Sequence, residues 1–200
     1  MILLNFLRDI MEKIGNNPNK YWEKYYSEAV AFTSSSSFCK FVCDTIDLTD
    51  MRVLELCCGD GRDTFVLGRH CRAITAVDYA SRPTSNKNIT FVKSDINDFL
   101  KFKKPSNYDL VYCRFGIHSV TEEIEDQILQ FSNYIAFEFR SDKDNSFIDD
   151  HYRRTINGSN FIKKLLQNRF EICYYKEATN LAVYKDQDPV IIRVVARKEV

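Results

Sequence analysis

The chain has 200 residues, 44% of them hydrophobic, and its 28 basic and 28 acidic side chains cancel. That length and composition suit one domain with a full core, and the zero net charge argues against the broad electrostatic footprint of a nucleic-acid binder. Seven cysteines, an odd number without a C-x-x-C pair, read as free thiols of a reducing compartment, so a cytoplasmic location is expected.

From Met1 to Ile14 apolar residues recur, but Arg8, Asp9, Glu12 and Lys13 interrupt them. This pattern predicts an amphipathic helix and neither a membrane span nor a signal peptide. After a break at Asn16-Asn17-Pro18-Asn19, the aromatic stretch Tyr21-Trp22-Glu23-Lys24-Tyr25-Tyr26 reads as a second helix. Ser37 can cap a third, with Phe38, Phe41 and Val42 on one face. Strands are then expected at Val53–Leu56, Ala73–Asp78, Ile89–Val92, Tyr108–Cys113, Tyr134–Phe139, Phe170–Tyr175 and Val190–Ala196. A helix from Arg62 to His70 joins the first two strands, and the stretch from Tyr79 to Asn88 reads as loop. Ser119-Val120-Thr121-Glu122 matches a capping box, and Ser159 caps a helix carrying Phe161, Ile162, Leu165 and Leu166. The last two strands are expected to be antiparallel neighbours. The pattern predicts an α/β fold: a doubly wound, mostly parallel seven-stranded sheet with helices on both faces.

The first strand runs into Cys57-Cys58-Gly59-Asp60-Gly61-Arg62-Asp63, a glycine turn that opens a helix. Gly59 and Gly61 bring bare backbone to a ligand, and a helix start offers it free N–H groups. A dinucleotide loop needs a third glycine, where this chain has Thr64, and Asp60 and Asp63 would repel a pyrophosphate. S-adenosylmethionine carries no phosphate, and its sulfonium and amino groups suit acidic surroundings. Asp78 ends the second strand 23 residues after Glu55, where a nucleoside-binding fold places the carboxylate that accepts two ribose hydroxyls.

Glu55-Leu56-Cys57-Cys58-Gly59-Asp60-Gly61 resembles the first motif of class I S-adenosylmethionine-dependent methyltransferases, with Cys57 standing where that pattern has its first glycine. The resemblance implies a Rossmann-like methyltransferase sheet over residues 51–200, with helices of residues 1–50 covering the cofactor; Tyr21, Trp22, Tyr25 and Phe38 are the candidates to cover it. It implies that Asp95 and Ile96 in Ser94-Asp95-Ile96 meet the adenine. The candidate cofactor contacts are thus Tyr21, Trp22, Glu55, Cys57, Gly59, Gly61, Arg62, Asp78, Tyr79, Asp95, Ile96, Cys113 and Arg114, with S-adenosylhomocysteine as product. Tyr21-Trp22, Ser37-Phe38, Leu54-Glu55-Leu56, Gly61-Arg62-Asp63, Arg114-Phe115 with His118, Glu138 with Arg140, His151-Tyr152-Arg153-Arg154 and the stretch Tyr184-Lys185-Asp186 to Arg193 resemble a branch associated with surface-polysaccharide assembly. That branch implies O-methylation of a sugar in a glycan or precursor, with glycosyltransferases as fused domains or partners.

Methyl transfer to a hydroxyl needs the two reactants positioned and the acceptor proton removed, by a base of near-neutral pKa or at a metal. His118 and His151 follow the fourth and fifth strands, at the edge where parallel sheets carry their chemistry. With Glu138 and Arg140 they are the catalytic candidates. Arg114, His118, Arg140, His151, Tyr152 and Arg153 are the acceptor-binding candidates. No motif supports a metal, although a divalent ion at the acceptor oxygen is an alternative to a histidine base. Two other readings stand beside this one: methylation of another small metabolite or of nucleic acid, and a module of the same fold that binds without catalysing. Cys113-Arg114-Phe115-Gly116 occupies the place of the Asn/Asp-Pro-Pro-Tyr/Phe motif of base amino-methylases, so nucleic acid is not the expected acceptor.

Overall fold

The computed structural model describes residues 18–28, 34–80, 84–102, 107–145, 153–183 and 187–198. The expected helix at Met1–Ile14 lies outside them. In chain order the elements are α1 (Pro18–Glu28), α2 (Ser37–Thr45), β1 (Arg52–Leu56), α3 (Thr64–His70), β2 (Ala73–Asp78), β3 (Ile89–Lys93), α4 (Ile96–Phe102), β4 (Leu110–Arg114), a 3-10 turn (Ile117–Ser119), α5 (Glu122–Ile128), β5 (Tyr134–Arg140), α6 (Gly158–Gln167), β6 (Phe170–Ala178) and β7 (Ile191–Lys198).

The seven strands form one sheet in the order β3-β2-β1-β4-β5-β7-β6. The first five in that order pair in parallel, and β7 pairs antiparallel with both β5 and β6. The chain winds outward from β1 to β3 and then returns to β4 on the other side. The winding direction therefore reverses between β1 and β4, and in such sheets the crevice at the strands' carboxyl ends binds ligand.

Strand side chains alternate faces, and the two faces bury separate clusters. Leu54, Leu56, Val111, Phe137 and Val194 pack with Phe99 of α4, Ile128 of α5 and Phe161 of α6. Val53, Ile74, Tyr112 and Val195 pack with Phe38 and Val42 of α2 and Leu67 of α3. Covering both faces is what makes the central strands read as continuous apolar runs.

Three helix starts refine the expected boundaries. Ser36 caps α2 in place of Ser37, its Oγ accepting from Cys39 N at 2.9 Å. Thr121 caps α5, and Asn157, in place of Ser159, caps α6. Helix α4 falls where no helix was expected: Asp95 accepts from Asn97 N at 2.9 Å and starts it, and Phe99 and Leu100 bury its inner side. No helix occurs among the described residues between β2 and β3, in keeping with the loop expected there.

Candidate active site

β1 stops because the backbone turns left-handed three times in five residues, at Cys57 (φ 59°), Gly59 (φ 56°) and Gly61 (φ 81°). For cysteine this conformation costs about 1–2 kcal/mol, so something must favour it. Its sulfur lies against Gly116, where an added Cβ would come within 2.5 Å of Cys57 Sγ and 2.6 Å of Cys113 Sγ. The missing side chain at Gly116 is the space that Cys57 fills. The contact with the Cys113 thiol, then burial, pushes the Cys57 thiol well above its ordinary pKa and keeps it protonated.

The two loop glycines do different work. A Cβ on Gly61 would stand 2.9 Å from Phe91 and 3.2 Å from Phe65, so its bareness serves packing and does not face a ligand. A Cβ on Gly59 would overlap the hydroxyl of Tyr26, which lies directly over the loop. The acids divide in the same way. Asp63 accepts from Ser36 N at 2.7 Å, Ser36 Oγ at 2.6 Å and Tyr112 Oη at 2.8 Å, tying α2 to the loop. Asp78 instead accepts from Gly59 N at 2.9 Å and Ala80 N at 2.8 Å, one N–H on each oxygen, and faces a cavity. Each oxygen can accept further bonds, so a vicinal diol fits.

That cavity, about 300 Å³, sits over the crossing between β1 and β4. Asp78, Tyr79, Ser94, Asp95 and Ile96 wall it on the β2–β3 side, and Cys57 lies in the middle. Arg114, Phe115, Ser119, Val120, Thr121 and Ile124 form the β4 side, and Trp22 and Tyr26 of α1 lie across it. An ion pair between Lys93 and Glu23 at 3.2 Å ties α1 to the end of β3. Burial, with Asp78 and Asp60 nearby, raises the Tyr26 pKa, so its phenol stays a donor. Tyr26 escaped the sequence reading, which chose its neighbours; Trp22 and Tyr26 stand four apart and so share a helix face, a signal the sequence does contain. Tyr25 packs edge-on against both. Phe38 stacks on Tyr112 at 5.2 Å inside the core, and that burial keeps it from covering the cavity.

Of the expected cofactor contacts, Trp22, Cys57, Asp78, Tyr79, Asp95, Ile96 and Arg114 line this cavity. Gly59 lies behind Tyr26, while Glu55, Gly61, Arg62 and Cys113 are not part of the wall. Arg62 donates from Nε to Ser34 O at 2.8 Å. Glu55 is buried beneath the loop, and burial, then the neighbouring Asp63, pushes its pKa well up. The side chain of Tyr21 lies outside the described residues.

On the acceptor side, sheet register sets Arg114 of β4 opposite Glu138 of β5, and Glu138 opposite Arg193 of β7. Glu138 is fully buried with Oε1 on Arg114 Nε at 2.8 Å and Oε2 on Arg193 Nε at 2.5 Å. Both oxygens face guanidiniums that cannot give up a proton, an arrangement that suits a structural anchor. Arg140 pairs with Asp144 at 2.6 Å and bonds Gln187 at 3.2 Å, away from the cavity wall. His118 is buried in the turn after β4, edge-on to Phe115 with ring centres 6.0 Å apart. Arg154 holds that turn, its backbone N–H donating to His118 O at 2.7 Å, Nε to Val120 O at 2.5 Å and Nη2 to Ile117 O at 3.0 Å. Arg153 is half-buried outside the wall, and His151 and Tyr152 lie outside the described residues. Among the described residues no His, Cys, Asp and Glu side chains gather into a cluster that could hold a metal, and no helix is long and apolar enough to cross a membrane.

Residues 53–133 match the family model described as a methyltransferase domain. No curated protein matches the sequence. Among solved structures, the chain is similar to the 1,6-didemethyltoxoflavin-N1-methyltransferase of Burkholderia thailandensis, bound to its namesake and S-adenosylhomocysteine, with TM-score 0.71 and 12% identity over 96% of this chain and 90% of that one. It is similar to a SAM-dependent methyltransferase of Anabaena variabilis, with TM-score 0.64 and 15% identity over 92% and 96% of the two chains. The magnesium protoporphyrin IX methyltransferase of Synechocystis, with bound S-adenosylhomocysteine, gives TM-score 0.59 and 15% identity over 82% and 81%. At these identities the likeness is one of fold, and it is the Rossmann-like sheet that is shared. The methyltransferase-domain match runs from β1 past α5, the part of the chain that carries both walls of the cavity, on the fold that these methyltransferases share.

Proposed function

We propose that the protein transfers the methyl group of S-adenosylmethionine to a hydroxyl oxygen of a sugar, free or within a glycan or its precursor, leaving an ether. The observation that carries the cofactor half is Asp78, held by the Gly59 and Ala80 N–H groups at the cavity wall. Asp78 would take the ribose hydroxyls, and Asp95 with the Ile96 N–H the adenine edge. The cofactor supplies an already activated electrophile, a methyl on a sulfonium. What remains for the chain is to align the acceptor oxygen, keep water out and accept one proton. Trp22 and Tyr26 close the cavity from above, which serves the second task.

The acceptor side supports a hydroxylated substrate. Arg114, Ser119 and Thr121 offer donors and acceptors beside the flat apolar Phe115, the mixture a sugar ring presents in return. The resemblance to the polysaccharide branch points the same way and extends to glycosyltransferases as fused domains or partners. With Glu138 engaged by two guanidiniums, the proton falls to a histidine, His118 beside Phe115 or His151.

Incubation with methyl-labelled cofactor and a panel of oligosaccharides, sugar derivatives, tRNA, DNA and protein decides between acceptors. Label recovered as a sugar methyl ether is expected; label only in nucleic acid or protein overturns the reading. Replacing Asp78 with Ala should weaken S-adenosylhomocysteine binding at least tenfold by calorimetry, since it removes hydrogen bonds to a charged acceptor worth roughly 1.5–3 kcal/mol each.

A further inference from the structure

Three charged side chains stand in a row across β4, β5 and β7: Arg114, Glu138 and Arg193. One carboxylate between two guanidiniums leaves a single positive charge over. The two arginines are not equivalent. Arg193 is buried and held by further partners, with Nη2 donating to Ser37 Oγ and to Leu181 O, each at 2.7 Å, and its guanidinium over the Phe38 ring at 5.5 Å. Arg114 is half-buried at the cavity wall, rooted by its Nε on Glu138 and laid on the Phe115 ring at 4.5 Å. Its terminal Nη1 and Nη2 donors have no acceptor among the described residues.

A guanidinium whose root is pinned by a buried carboxylate and whose face is held by an aromatic ring has lost most of its rotamer freedom before any ligand arrives. Its outer N–H groups then present a fixed fork that matches two oxygens of a planar carboxylate or of a phosphate. Its place in the sheet says which ligand meets it. Asp78 and Asp95 follow β2 and β3, on one side of β1, whereas Arg114 ends β4, on the other. Adjacent strands are about 4.8 Å apart, so Arg114 stands about 10 Å across the sheet from the ribose carboxylate, toward β5.

Resting on the hydroxyl-acceptor reading above, we propose that Arg114 anchors an oxyanion group, carboxylate or phosphate, on the methyl acceptor. The substrate class is then an anionic hydroxy compound, a uronic acid or a sugar phosphate, and not a neutral sugar.

The test uses the whole chain saturated with S-adenosylhomocysteine, titrated by calorimetry with glucuronate, glucose 1-phosphate and glucose. The acids should bind at least tenfold tighter than glucose and weaken as salt rises. Equal affinity for glucuronate, glucose 1-phosphate and glucose overturns the proposal, and this comparison needs no variant. Arg114→Gln, read at saturating S-adenosylhomocysteine, should lose that preference, and Arg114→Lys should recover part of it. If Arg114→Gln keeps the preference, the fork is elsewhere and the proposal fails. If it instead weakens S-adenosylhomocysteine but not 5′-methylthioadenosine, which lacks the carboxylate, the fork serves the cofactor and the proposal also fails. Arg114-dependent binding of the acids with no label on any hydroxyl would sink the O-methylation reading and leave the anchor standing; labelling of neutral sugars that ignores Arg114 would do the reverse.

Discussion

The sheet edge over β2 and β3 and the edge over β4 and β5 treat their carboxylates in opposite ways. Asp78 and Asp95 receive backbone N–H groups, from Gly59, Ala80 and Asn97. Glu138 receives two guanidiniums. Backbone donors orient the carboxylates of the first edge at the cavity wall. Paired guanidiniums neutralise and bury Glu138, so on the second edge the acid becomes scaffold and an arginine is what reaches outward. The same residue type thus marks a contact on one side and an anchor on the other, and the partner's chemistry decides which.

Removing the scaffold acid should break this contrast most violently. Glu138→Ala strands Arg193 and Arg114 side by side, and breaking a buried pair costs about 3–5 kcal/mol, to be read from urea unfolding. A loss below about 1 kcal/mol would mean that the arginines find other partners and that Glu138 is not their anchor. Between the two edges, Gly116→Ala puts a methyl onto both sulfurs and should cost about 1–3 kcal/mol in the same measurement, as overpacking does. An unchanged midpoint would show that Cys57 has room to turn away.

The subtlest test concerns Glu55, an acid served by neither device. Burial, with Asp63 close by, raises its pKa in the folded chain. The proton it then holds contributes stability that is fully present below the unfolded value, about 4.3, and is lost as pH rises through the folded one. Glu55→Gln should therefore melt increasingly above the parent as pH is raised from 4 to 8. A melting difference independent of pH would show that Glu55 ionises as an ordinary carboxylate.

The strands were legible because sheet strands covered on both faces are apolar throughout, and Asp78 because the spacing of a βαβ unit is nearly fixed. Helix α4 was not, since Asp95, a candidate contact for adenine, is also the residue that starts the helix. The row Arg114, Glu138 and Arg193 spans 24 and 55 residues of sequence, and only strand register brings it together. Local pattern marked Glu138 as an interesting acid; it could not say that both its oxygens were taken. Asp63 misled for the same reason, its partners Ser36 and Tyr112 lying 27 and 49 residues away.

Cys57 and Gly116 have an implication for how such a loop can change over time. Positions 57, 113 and 116 crowd one volume. A chain with glycine at 57 and a residue smaller than cysteine at 113 has room for alanine at 116, whereas a chain with cysteine at 57 does not. Going from the first arrangement to the second, position 116 must be emptied before position 57 is filled, because the opposite order passes through a clash. The fitness of either substitution is thus contingent on the other, and a loop that has accepted its cysteine is held to it by a glycine more than fifty residues downstream.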